Sequence, residues 1–169
     1  MSEYLGYEIV NDSGVETLVV DDGAERVPIK NKFGEEIGVF YFQPTDIGII
    51  KRFNEVADRF QDVVAPLENA NINSDGTGVE SNDVAALEEA EKRLYDMCNY
   101  LFGGNLAEAF FGKMNPFSPV GGNFYCENAL NAVSQYISNR MDAEAKKINA
   151  RVERYTHGLR TGAHKNGRK

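Results

Sequence analysis

The chain has 169 residues, enough for one ordinary domain with appendages, and its 26 Asp or Glu against 18 Lys or Arg give a formal charge of -8. Acidity of this size argues against nucleic acid as a partner for the body of the protein. The start MSEYLGYEIV lacks the basic residues and apolar core of a signal peptide, and no run approaches a membrane span in length. A soluble intracellular protein with no membrane partner is the expectation.

Residues 1–26 form an acidic N-terminal arm. Tyr4, Leu5, Tyr7 and Ile9 alternate weakly, and a short run Thr17–Val20 precedes Asp21-Asp22-Gly23, a pattern that fits an irregular arm or one edge strand. Residues 27–157 read as a single, mainly helical domain. It opens with a β-hairpin over 27–42, whose runs Val27–Phe33 and Ile37–Phe42 flank the turn Gly34-Glu35-Glu36. Both faces of the second run are apolar, which predicts a small sheet covered on at least one side. Pro44-Thr45-Asp46 ends the hairpin and caps a helix with apolar positions Ile50, Phe53, Val56, Ala57, Phe60, Val63 and Val64, closed by Pro66.

Residues 66–82 are rich in Gly and Asn and read as a mobile loop. Asn71, Asn73, Asp75 and Gly76 have the opening spacing of a calcium loop, but the first position lacks its carboxylate and Asn82 stands where the bidentate Glu belongs. No metal site is expected there. Ser81-Asn82-Asp83 then caps a second long helix, whose stripe Val84, Leu87, Leu94, Cys98 and Leu101 faces away from Glu88, Glu89, Glu91, Lys92 and Arg93.

Between this helix and the last lies Leu101–Phe124, with two glycine pairs, five phenylalanines and two prolines. Gly103-Gly104 stops one helix, Asn105 with Glu108 reads as a capping box for a short one, and Gly121-Gly122-Asn123 opens the next. So apolar a connection should be a buried corner. The last helix carries Leu130, Val133, Ile137, Met141, Ile148, Val152 and Tyr155. From Asn123 to Tyr155 it would span about 50 Å, so part of it must project, bend or pack on another chain. Residues 158–169 read as a basic disordered tail. The fold class is therefore α+β and mostly α: a small N-terminal hairpin or sheet, then a three-to-four-helix bundle with a long C-terminal helix.

Charge is unevenly spread. Residues 140–169 hold nine Lys or Arg and three Asp or Glu, whereas residues 1–139 hold nine basic and 23 acidic groups. A basic arm of this kind suits an acidic surface, the protein's own or a partner's. Cys98 and Cys126 have no ligand-spaced neighbour and are expected as buried free thiols. The histidines, His157 and His164, lie in the basic end, where no core orients them. No nucleophile, metal or phosphate-loop motif is present, and neither glycine pair has a cation within its turn. No enzyme activity and no cofactor is expected.

The segments Cys98–Gly103, Ala107–Gly112, Asn115-Pro116 and Cys126–Tyr136, taken with the short hairpin and the helix starting at Thr45-Asp46, resemble the small tail assembly chaperones of tailed phages and prophages. The resemblance covers about residues 27–150; the arm 1–26 and the basic end after Ala150 depart from it. It implies a non-enzymatic helper in the host cell cytoplasm that keeps the tape measure protein soluble while tail tube subunits assemble, with a longer frameshifted form recruiting the tail tube protein. A homo-oligomer is also expected. Candidate contacts are Ile148, Arg151, Val152, Arg154, Tyr155 and Arg160. The alternative is a structural virion component of the tail or head-tail connector, adding a strand through residues 1–42. A nucleic-acid role for residues 146–169 lacks stacking aromatics or a folded basic face.

Overall fold

The computed structural model describes residues 5–68 and 81–163. The Asn71–Gly76 calcium-like spacing and His164 lie outside them. Ser13-Gly14 closes an antiparallel ribbon of β1 (Tyr7–Asp12) and β2 (Val15–Val20), paired from Tyr7 with Val20 to Asp12 with Val15. Both turn residues have positive φ, 54° and 83°, the geometry that matches the twist of a two-residue hairpin. The N-terminal arm is thus a complete hairpin rather than one edge strand.

A second hairpin pairs β3 (Glu25–Lys30) with β4 (Glu36–Phe42). The turn is wider than the one read from sequence and is held by Asn31, whose Oδ1 accepts the N–H groups of Phe33 and Glu35. Phe40 and Phe42 are buried and stacked, their ring centroids 4.0 Å apart, while Tyr41 on the other face is exposed. Only one face of this sheet is covered.

The helices follow in order: α1 (Gly48–Val56), a 3-10 turn, α2 (Phe60–Val64), a second 3-10 turn over Ala65–Leu67, α3 (Ser81–Phe102), α4 (Leu106–Phe111) and α5 (Tyr125–Ala163). Two short strands, β5 (Pro119–Val120) and β6 (Asn123–Phe124), form a tight turn just before α5. Asp46 accepts the Gly48 N–H at 2.8 Å, and Glu127 accepts the Phe124 N–H at 2.7 Å, satisfying donors that α1 and α5 cannot pair internally. The basic end is helical through Ala163, so residues 158–163 are not a disordered tail. Extending an existing helix adds one hydrogen bond per residue fixed, and each glycine there costs only about 1 kcal/mol.

The core joins Phe40 and Phe42 to Leu94, Cys98 and Leu101 of α3, all of α4 but Glu108, Phe117, and Cys126, Ala129 and Val133 of α5. The connection from α3 to α5 is a buried corner through α4 and Pro116-Phe117, whereas residues 112–114 and 119–124 are exposed, including Met114, Val120 and Phe124. Its capping is different from the sequence reading. Asn105 makes no side-chain bond to its own helix; Asn99 Oδ1 instead accepts the Ala107 N–H at 3.2 Å, and Glu108 accepts from the Asn99 amide. Asn105 reaches across to β4, where its Oδ1 accepts the Tyr41 N–H and its Nδ2 donates to the Val39 carbonyl, both at 2.9 Å. One side-chain amide thus occupies the open edge of β4 as a neighbouring peptide would.

That docking requires close backbone approach. A Cβ on Gly38 would lie 2.0 Å from the Ala109 carbonyl oxygen, and one on Gly104 would lie 2.3 Å from the Tyr41 carbonyl oxygen. Glycine is therefore the residue that lets α4 lie on the sheet.

Candidate functional site

Along α1 and α2 the buried residues are Ile49, Val56 and Val63, spaced by seven, and not the full stripe that periodicity suggested. Ile49 and Val56 of α1 face the core, and Ile50 and Phe53 lie on the flank of the same helix, where they stand 60% and 56% exposed. These two side chains form one wall of an apolar groove. Met97 and Leu101 of α3 make its floor, and Leu130, Ser134 and Ile137 of α5 its far wall, enclosing about 400 Å³.

The wall is fixed in place by polar contacts. Arg52 donates from Nε to the Leu101 carbonyl and pairs with Asp46, both at 2.9 Å, tying the start of α1 to the end of α3. The hydrogen bond from Arg52, helped by the Gly48 N–H, holds the Asp46 carboxyl below its ordinary range. Tyr100 donates to Glu55 one turn further along α1. Such ties leave a pre-formed trough with an apolar lining, which suits the apolar face of an amphipathic helix.

A second cleft lies on the opposite side of α5. Ile29, Ile37, Phe110, Val120 and Ala129 line about 530 Å³, and Lys30, Lys32 and Lys113 stand around it. None of these three lysines pairs with a carboxylate among the described residues.

Past Tyr136 and Ile137, α5 leaves the body. Glu25, the first residue of β3, clamps it there: Arg140 Nε lies 3.2 Å from Glu25, Tyr136 donates its hydroxyl to the same carboxylate, and Arg140 donates to the Tyr136 oxygen. Residues 142–154 beyond the clamp are exposed. Ile148 and Val152 are about half exposed on one face, with Arg151 and Arg154 beside them. Tyr155 and Arg160 continue the same helix. These candidate contacts therefore share a projecting arm and do not line either groove. Sequence reasoning missed the groove residues Ile50 and Phe53 as surface groups. The adjacent pair Ile49-Ile50 was the available signal, since neighbouring helix positions point about 100° apart and only one of them can sit at the centre of a buried stripe.

Cys98 and Cys126 are free and buried. Burial pushes the Cys98 thiol up to about 12 and Cys126 to about 11, far from a reactive thiolate. Among the described residues no cluster of three or more His, Cys, Asp or Glu is placed to hold a metal, and no helix is long and apolar enough to cross a membrane. No protein-family model, curated protein or solved structure matches the chain.

Proposed function

We propose that the protein is a tail assembly chaperone that holds amphipathic helices of the tape measure protein, in the host cytoplasm, until tail tube subunits enclose them. The single observation that carries this reading is the groove between α1 and α5, where Ile50 and Phe53 are exposed opposite Leu130 and Ile137. A client helix laid there would bury apolar positions at i, i+3, i+4 and i+7 that otherwise drive aggregation. The tail-module assignment comes from the sequence resemblance; the groove supports helix binding as such.

Co-expression with the tape measure protein of the same tail module tests the proposal. A soluble complex is expected, and Phe53→Asp should return the client to the pellet while leaving the circular dichroism of the chaperone unchanged. A client that precipitates equally with and without the protein defeats the reading. Recovery of the protein from purified mature particles would instead make it a structural virion component.

A further inference from the structure

Two parts of the molecule stand bare, and they are opposite in charge. On one face of the β1–β2 ribbon the register brings Tyr7 beside Val20 and Ile9 beside Leu18, and these four are 56%, 58%, 66% and 65% exposed. Val15 and Val19 are exposed on the other face. The four on the first face amount to on the order of 450 Å² of uncovered surface, a little over half of one partner's share of a standard interface, and the reciprocal contact doubles it. A two-stranded ribbon without such cover is at best marginally stable in water.

Residues 5–22 carry five carboxylates and no Lys or Arg. None of the five meets a cation among the described residues. The projecting half of α5 is the reverse. Residues 146–163 carry five Lys or Arg and one carboxylate. Neither Arg151 nor Arg154 pairs with a carboxylate among the described residues, and Ile148 with Val152 makes an apolar row alongside them. From Asp142 to Ala163 the arm is about 33 Å long, against about 20 Å for a six-residue strand, so the ribbon fits along it.

We infer that the ribbon of one copy packs on the projecting half of α5 of a second copy, and reciprocally, making a two-fold dimer. The connection from the ribbon to β3 is pinned. Asp21 and Asp22 accept the N–H groups of Gly23 and Ala24, and Gln43 donates to Asp22, each at 2.9 Å. Both arms leave the body at the same corner, the ribbon through residues 21–24 into Glu25 and the helix past its clamp on Glu25. A two-fold axis beside that corner lets each ribbon meet the other copy's helix with one set of contacts used twice. Apolar rows supply the area, and the opposite charges set the register and favour encounter. The inference is independent of the client proposed above.

Sedimentation velocity on the full chain tests it. The wild type should sediment as a dimer of the 18.8 kDa chain at micromolar concentration. Leu18→Asp on the ribbon and Val152→Asp on the helix should each weaken dimerisation by about thirtyfold or more. An equimolar mixture of the two variants should dimerise again, because one ribbon–helix contact then remains intact. Since Leu18→Asp can also unfold the ribbon, charge reversal provides a second route. Glu16→Lys, on the same face as Leu18, should weaken the dimer at low salt, and adding Arg151→Glu with Arg154→Glu should restore it. A monomeric wild type, a dimer indifferent to both aspartate variants, or a mixture that stays monomeric overturns the inference; the last places the ribbon on its own helix.

Discussion

Hairpins β1–β2 and β3–β4 each pair six or seven residues rich in apolar side chains, yet the first is exposed along its length and the second anchors the core. Strand propensity does not separate them. What separates them is a later segment that returns: α4 lies on β4 with Gly38 and Gly104 admitting its backbone and Asn105 occupying the strand edge. Nothing in the ribbon offers an equivalent approach, since its glycines, Gly6 and Gly14, stand outside the paired strands. Burial of a sheet in so small a protein is a property of the element that covers it.

The sharpest way to break this contrast is to remove cover from the second hairpin. Phe110→Ala takes away a buried ring that meets Phe40 of β4 edge-on, at a centroid distance of 6.0 Å. It should cost about 3 to 5 kcal/mol in urea unfolding. Gly38→Ala, which sets a methyl against the Ala109 carbonyl, should cost about 2 to 3 kcal/mol and show as a lower denaturation midpoint with an unchanged slope. Asn105→Ala leaves a β4 donor and acceptor without their partner and should cost about 1 to 2 kcal/mol; faster amide exchange at Tyr41 would locate the loss.

On the bare hairpin the same measurement should give almost nothing. Leu18→Ser, examined where the chain is monomeric, should change stability by no more than about 0.5 kcal/mol. A larger loss would mean that the ribbon is covered within its own chain. The smallest effect concerns acid. Asp46 is held below its ordinary carboxyl range by Arg52 and the Gly48 N–H, so its contribution is present above the unfolded-state value and is lost as pH falls through the folded-state value. Asp46→Asn should slightly flatten the fall of stability with acid in that window, as read by thermal melts. The side chains of the pair are 23% and 42% exposed, and solvent screening keeps the effect small.

Much of the scaffold was legible in the chain itself. The periodicity of α3, the glycine-bounded α4 and the presence of a long last helix follow from spacing, though α5 runs on to Ala163, past the Gly158 where the sequence reading ended it, and the concentration of phenylalanine between residues 101 and 124 pointed to a buried corner. The ribbon was harder to see because its signal is the single dipeptide Ser13-Gly14 between weakly alternating runs. Asn105 was read locally, as a helix cap, whereas its partners are more than 60 residues away. Local rules rank the nearest backbone N–H first as its donor, and only the returning chain brings the N–H and carbonyl of β4 within reach. The groove escaped for a related reason: periodicity marks which side chains share a face, not whether another element covers it. Hence Ile50 and Phe53, assigned to a buried stripe, are its exposed shoulder.

The two thiols give the molecule a built-in clock. Cys98 sits on α3 and Cys126 on the first turn of α5, both fully shielded, so a maleimide can reach them only when the body opens. Labelling in native buffer therefore proceeds at the opening equilibrium multiplied by the reagent's rate on a free thiol. Loosening around either helix can be timed by mass spectrometry on the unaltered chain, with no dye or engineered probe.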